Sequence, residues 1–206
     1  MTLIAVLDYG IGNLRSAQKA LQHVGADARL TDDVGLIRDA DAVVLPGVGA
    51  FGPCIAALRS RGLDDVALDA VESGRPFLGV CIGMQMLYES SEEAPDVPGL
   101  GVLPGRIRRL PDGVKRPQMQ WNVLELSRSS EMLEGLEPPV WMYFVHSYAP
   151  QMSVDVVATC DYGGTVAAAV ERGNVWATQF HPEKSGTSGL ALLTNFVRAA
   201  ANAPAR

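Results

Sequence analysis

Residues 76–85 read Pro76-Phe77-Leu78-Gly79-Val80-Cys81-Ile82-Gly83-Met84-Gln85. An apolar run ends on a cysteine with glycine two positions away on either side, and helix-like sequence follows to about Ser90. The spacing predicts a strand-to-helix turn with Cys81 at its apex. Small neighbours let the chain bend sharply and aim the side chain out at the carboxyl edge of a sheet. A helix beginning beside the sulfur offers unpaired N–H groups and the positive end of its dipole, which favour thiolate over thiol. A cysteine is more often simply buried. A second stretch, Gln179-Phe180-His181-Pro182-Glu183, reverses that expectation by supplying a base and a carboxylate to orient it.

Outward from Cys81, strand and helix signals alternate through the first half. Leu3–Leu7, Ala26–Thr31, Ala40–Leu45 and Phe77–Val80 read as strands, and 14–24, 53–61 and 63–73 carry helical spacing. Continuous apolar runs such as Leu3–Leu7 belong to strands buried on both faces. The second half changes character. Residues 121–126, 140–145, 154–159, 166–171 and 175–180 read as closely spaced strands, and 185–201 as a closing helix. The expected fold is α/β: a doubly wound, mostly parallel sheet with helices on both faces and an antiparallel extension, in one domain over 1–206.

With 206 residues the chain is long enough to bury a substantial core. A net charge of −6 gives no footprint for nucleic acid. The basic residues Arg106, Arg108, Arg109, Lys115 and Arg116 are interrupted by Pro111 and Gly113 and read as a solvated face. No apolar stretch is long enough for a bilayer, and the start of the chain reads as a strand rather than a leader. Three widely spaced cysteines, Cys54, Cys81 and Cys160, suggest reduced thiols in a cytoplasmic protein and make no zinc spacing. The loop Gly10-Ile11-Gly12-Asn13 lacks a third glycine for a dinucleotide site, so no cofactor and no metal are expected.

Pro182 fixes its own backbone and pushes His181 toward an extended conformation, in which residues two apart share a face. Glu183 is thereby expected to hold the His181 tautomer while the other ring nitrogen addresses Cys81. His23, at a helix end, reads as a surface residue. His146, at a strand end, reads as a structural hydrogen-bonder or a pocket wall. Acyl transfer needs donors for the oxyanion. The Ile82 N–H is one candidate, and the loop Gly47-Val48-Gly49, after a strand neighbouring that of Cys81, supplies another.

Together, Pro46-Gly47-Val48-Gly49-Ala50-Phe51, the Gly79–Gln85 elbow and Gln179–Ser185 resemble the class I (triad) glutamine amidotransferases. Asp8–Leu14, Pro117–Asn122 and Tyr143–Tyr148 further resemble the glutaminase subunits of imidazole glycerol phosphate synthase. The resemblance implies that Cys81 attacks the glutamine side-chain amide, His181 shuttles protons and Glu183 orients it. It implies an oxyanion hole from Val48, Gly49 and Ile82, and glutamine binding by Gly47, Gly49, Gln85, His146, Ser147 and Tyr148. It implies a Val48 peptide that must reorient, ammonia delivery to a (β/α)₈-barrel cyclase subunit, and an interface including Asn13, Trp121, Asn122, Tyr143 and Lys184. One departure is Gln120, where the family usually has glycine. The glutaminase of pyridoxal phosphate synthase has a similar triad but a Gly-Gly-Glu-Ser type loop in place of Pro46–Gly49. A purely regulatory module would need none of the three triad side chains.

Overall fold

The computed structural model describes residues 1–12 and 14–203. In chain order the first half runs β1 (Leu3–Leu7), α1 (Leu14–His23), β2 (Asp27–Thr31), α2 (Val34–Asp39), β3 (Ala42–Leu45), α3 (Phe51–Ser60), α4 (Leu63–Glu72), β4 (Phe77–Val80) and α5 (Ile82–Met86). The second half adds β5 (Tyr88–Ser91), β6 (Leu103–Arg109), β7 (Gln118–Val123), β8 (Glu125–Leu126), β9 (Trp141–His146), β10 (Tyr148–Pro150), β11 (Val156–Asp161), β12 (Thr165–Arg172), β13 (Val175–Thr178) and α6 (Gly186–Asn202).

Every residue of β3, β4 and β13 is buried, as is β1 from Ile4 onward. Strands with no wet face can only be central strands covered on both sides. They pair in parallel in the order β2-β1-β3-β4-β13, and β12, β11 and β8 continue the same sheet antiparallel. The parallel part has the flavodoxin-like strand order. From β1 to β2 the chain steps one way along the sheet, and from β2 to β3 the other, so right-handed crossovers put α1 and α2 on opposite faces. Helix α6 packs beside α1, while α4 touches both α2 and α3. The mixed α/β architecture is therefore the one the sequence predicts.

Several local expectations fail. The helix after Cys81 ends at Met86 rather than near Ser90, because Tyr88–Ser91 pairs in parallel with β6. Tertiary pairing overrides helix propensity there. Helix α2 was not expected; its signal is Asp33, whose carboxylate accepts the Leu36 N–H at 2.9 Å as an N-cap. Strands β5, β6 and β10 form a separate three-stranded sheet that the Pro- and Gly-punctuated segment disguised. Residues 140–145 do not extend the main sheet, because β9 pairs with β7 in a separate two-stranded ribbon. Gln120 continues that ribbon opposite Phe144, so the departure from glycine leaves the strand register regular. Among the described residues no helix is long and apolar enough to cross a membrane.

Candidate active site

Three adjacent strands deliver the site at their carboxyl ends. The loop from Pro46 follows β3, Cys81 follows β4, and His181 comes just after β13, which pairs with β4. Cys81 stands at φ 55° and ψ −111°, and it is the one non-glycine residue with positive φ among those described. Such a backbone is strained for an L residue and persists only where its surroundings impose it. Here the Cys81 N–H donates to the Thr178 carbonyl at 2.7 Å, and the Cys81 carbonyl accepts from Gln85 N–H at 3.1 Å. The flanking glycines are steric necessities. A Cβ on Gly79 would stand 3.0 Å from the Met84 backbone nitrogen, and one on Gly83 would stand 1.8 Å from the Leu45 carbonyl oxygen.

His181 is extended, with φ −103° and ψ 95°. The expectation of an extended segment through Glu183 is corrected: Pro182–Lys184 forms a 3₁₀ turn. Pro182 is preorganised for a first turn and loses no hydrogen bond there. The turn swings Glu183 back so that its Oε1 meets His181 Nδ1 at 2.8 Å, with both side chains buried. His181 Nε2 has no partner at full hydrogen-bond geometry, and the group it interacts with is the Cys81 sulfur. Burial alone would lower the His181 pKa. Interaction with Cys81 and with Glu183 outweighs burial and pushes it up to about 9. The charge on this imidazole therefore stabilises the fold fully below the ordinary value of 6.5, and that contribution is lost as pH rises through about 9.

A cavity of about 230 Å³ opens over the sulfur, lined by Val48, Gly49, Cys81, Ile82, Gln85, His146, Ser147, Tyr148 and His181 among others. Gly47 lies behind this wall; a Cβ there would sit 2.6 Å from the Tyr9 hydroxyl, which itself donates to the Pro46 carbonyl at 2.7 Å. The Val48 carbonyl accepts from the Cys54 thiol at 3.6 Å. A trans peptide holds its N–H antiparallel to its carbonyl, so the Gly49 N–H leaves on the side away from Cys54. Gly49 has φ 113°, a conformation that glycine adopts without penalty.

Gln85 donates through Nε2 to the Tyr148 carbonyl and to Gln179 Oε1, both at 3.0 Å. Its Oε1 is buried without a partner, so an acceptor stands ready in the wall of the cavity. His146 serves as a wall, its Nδ1 facing the Tyr148 carbonyl at 2.9 Å and its Nε2 facing the Gln118 side-chain amide at 3.0 Å. Burial above all drops its pKa to about 4, which keeps it neutral. Sequence reading missed Glu93, a half-buried carboxylate in the cavity wall that also accepts the Phe51 N–H at 2.8 Å. Nothing in Ser91-Glu92-Glu93 marks it, since only the chain's return across the mouth of β3 brings it in. Cys54 and Cys160 are buried free thiols that burial pushes up to about 11, and neither lines the cavity.

Beside the cavity, one face of the β7–β9 ribbon is apolar and open. Paired residues share a face, which groups Met119 with Val145, Trp121 with Tyr143 and Val123 with Trp141. Met119 is 63% exposed, and Trp121 and Trp141 are each 47% exposed. Trp121 and Tyr143 meet edge to face with centroids 6.0 Å apart. Asn122 points to the opposite face, where its amide donates to the Asp161 carbonyl at 2.9 Å. Lys184 is exposed on the 3₁₀ turn, and Asn13 lies outside the described residues. No group of three metal-ligating side chains occurs among the described residues.

This architecture recurs in known proteins. The family model for glutamine amidotransferase class-I matches residues 5–200. The subunit HisH of imidazole glycerol phosphate synthase from Methanothermobacter thermautotrophicus is 51% identical over 196 residues, covering 95% of this chain and 98% of that one. The subunit of the same name from Syntrophotalea carbinolica is 48% identical over 203 residues, covering 94% and 98%. A crystal structure of a glutamine amidotransferase superposes with a TM-score of 0.76 at 25% identity, covering 96% of this chain and 98% of that one. The chain belongs to the class I glutamine amidotransferases and, within them, to the HisH subunits of imidazole glycerol phosphate synthase.

Proposed function

We propose that Cys81, His181 and Glu183 hydrolyse L-glutamine for a histidine-forming synthase. In this reading the proton shared with Cys81 rests on His181 Nε2, in keeping with the raised pKa of that imidazole, and the sulfur attacks the side-chain carbonyl carbon as the thiolate. The tetrahedral oxyanion is met by backbone N–H groups of the Val48–Gly49 loop and of Ile82. The carbon–nitrogen bond then breaks, and His181 gives its proton to the departing ammonia. Water, deprotonated by His181, next splits the thioester to glutamate and free thiol. The free Oε1 of Gln85 and the Glu93 carboxylate suit the ammonium of the substrate, with Ser147, Tyr148 and the Gly47–Gly49 backbone around the rest. His146 contributes shape rather than a free polar atom.

The single observation that carries the reading is a buried imidazole fixed by a carboxylate at 2.8 Å and sharing one cavity with a sulfur at a strained elbow. Ammonia in neutral water is mostly protonated, so delivery to a barrel-shaped cyclase subunit through a sheltered path keeps it nucleophilic. The open face of Met119, Trp121 and Tyr143 is the seat proposed for that subunit, with Lys184 beside it. One catalytic domain, a heterodimer and a cytoplasmic setting complete the reading. Glutamate release from glutamine is the test. It is expected to rise at least about ten-fold when a cyclase subunit carrying its own substrate is added. Equal release without the partner would instead make the chain a stand-alone hydrolase, and no release in either case would make it a binding module.

Glu183→Gln gives a pH-resolved prediction. An amide donating to Nδ1 forces the wrong tautomer and removes the negative charge that helps to raise His181. Turnover is expected to fall on the order of 10²- to 10⁴-fold. The alkaline limb, set in the wild type by loss of imidazolium near pH 9, should move to lower pH. A limb that stays in place would remove Glu183 from the relay.

A further inference from the structure

We infer that Ser185 is a positioning residue that ties the His181 turn to β9, a tie that the proposed glutaminase activity would depend on. The Ser185 hydroxyl donates to the His181 carbonyl at 2.6 Å and accepts the Tyr143 N–H at 3.0 Å. The His181 N–H donates to the Tyr143 carbonyl at 3.0 Å. Both backbone groups of Tyr143 are thus committed to the His181 turn, one directly and one through the hydroxyl.

The consequence is orientational. The imidazole hangs from a Cα whose flanking peptides are both fastened to β9, and Glu183 fixes its Nδ1. Without the hydroxyl, the Tyr143 N–H loses its acceptor and the His181 carbonyl keeps only the Lys184 N–H at 3.0 Å. Ser185 is 2% exposed, so water does not readily replace it. Gly189 braces the turn from behind, since a Cβ there would stand 2.0 Å from the Pro182 carbonyl oxygen. On its outward side β9 carries Trp141, Tyr143 and Val145, the face proposed for the cyclase. One hydroxyl therefore lies between that face and the base, where a small rotation of the ring changes its reach to the sulfur.

The test uses the two-subunit complex with Ser185→Ala and Ser185→Cys, the latter keeping volume but only a weak donor. Both are expected to lower kcat for glutamine hydrolysis roughly ten-fold while KM stays within about two-fold. The alkaline limb of the pH profile should shift from its wild-type position, while synthesis driven by added ammonium salt is unchanged. A kcat within two-fold of wild type and an unmoved limb, in either variant, overturn the inference. Parallel loss of glutamine- and ammonium-driven synthesis overturns it too, because that marks a role in the fold. A wild-type complex that does not hydrolyse glutamine at all would instead sink the proposed function.

Discussion

Glutamine hydrolysis by Cys81→Ser is expected to fall on the order of 10⁴-fold or more, while ammonium-driven synthesis by the same complex persists. The serine hydroxyl is a far weaker acid than a thiol, and His181 is placed for a larger, softer atom. The hydroxyl fits the elbow, so the loss is chemical rather than structural. Both activities should be followed in one preparation with glutamine or an ammonium salt as nitrogen source. Residual glutamine hydrolysis within ten-fold of wild type would remove Cys81 as nucleophile. Loss of both activities would show that the substitution damages the partner contact as well.

The second large effect is steric. Gly83→Ala should destabilise the fold by more than about 3 kcal/mol, because its Cβ would meet the Leu45 carbonyl oxygen at 1.8 Å and the carbonyl carbon at 2.8 Å. Both are backbone atoms at the end of β3, so no side-chain rotation relieves them. For a chain of this size the loss corresponds to a melting temperature lower by roughly 6–12 °C. Gly52→Ala is the internal control. Its Cβ would find only Ala94 at 3.5 Å and Val97 at 4.0 Å, so stability should hold or rise by about 0.5–1 kcal/mol. Equal behaviour of the two variants would refute close packing of α5 on β3 as the reason for glycine.

The contrast between these two glycines also shows what sequence could and could not reveal. The Leu45 carbonyl that forbids a Cβ on Gly83 comes from another strand, whereas the sharp turn at Cys81, with Gly79 packed against Met84, is a local demand and legible. The parallel core is legible for the same reason, since β3 and β4 have no polar residue to place outside. The pairing of His181 with Glu183 was also legible, although by the wrong geometry. Two residues in an extended chain share a face, yet a 3₁₀ turn makes the contact here. What sequence hid was long-range. Glu93 and Ser185 acquire their partners, Phe51 and Tyr143, from segments some forty residues away, and no short pattern encodes that meeting. The β7–β9 ribbon was hidden likewise, because an isolated strand does not announce which sheet it will join.

Because the nucleophile, the oxyanion loop and the base emerge from β4 and its two immediate neighbours, their lateral spacing is the rung spacing of a sheet, about 4.8 Å. Backbone ladders hold that distance far more tightly than surface connections hold anything. Segments remote from those three exits can therefore lengthen, shorten or change composition while the reactive geometry persists. Grafting a new acceptor for ammonia onto this scaffold is thus chiefly a matter of redrawing its rim.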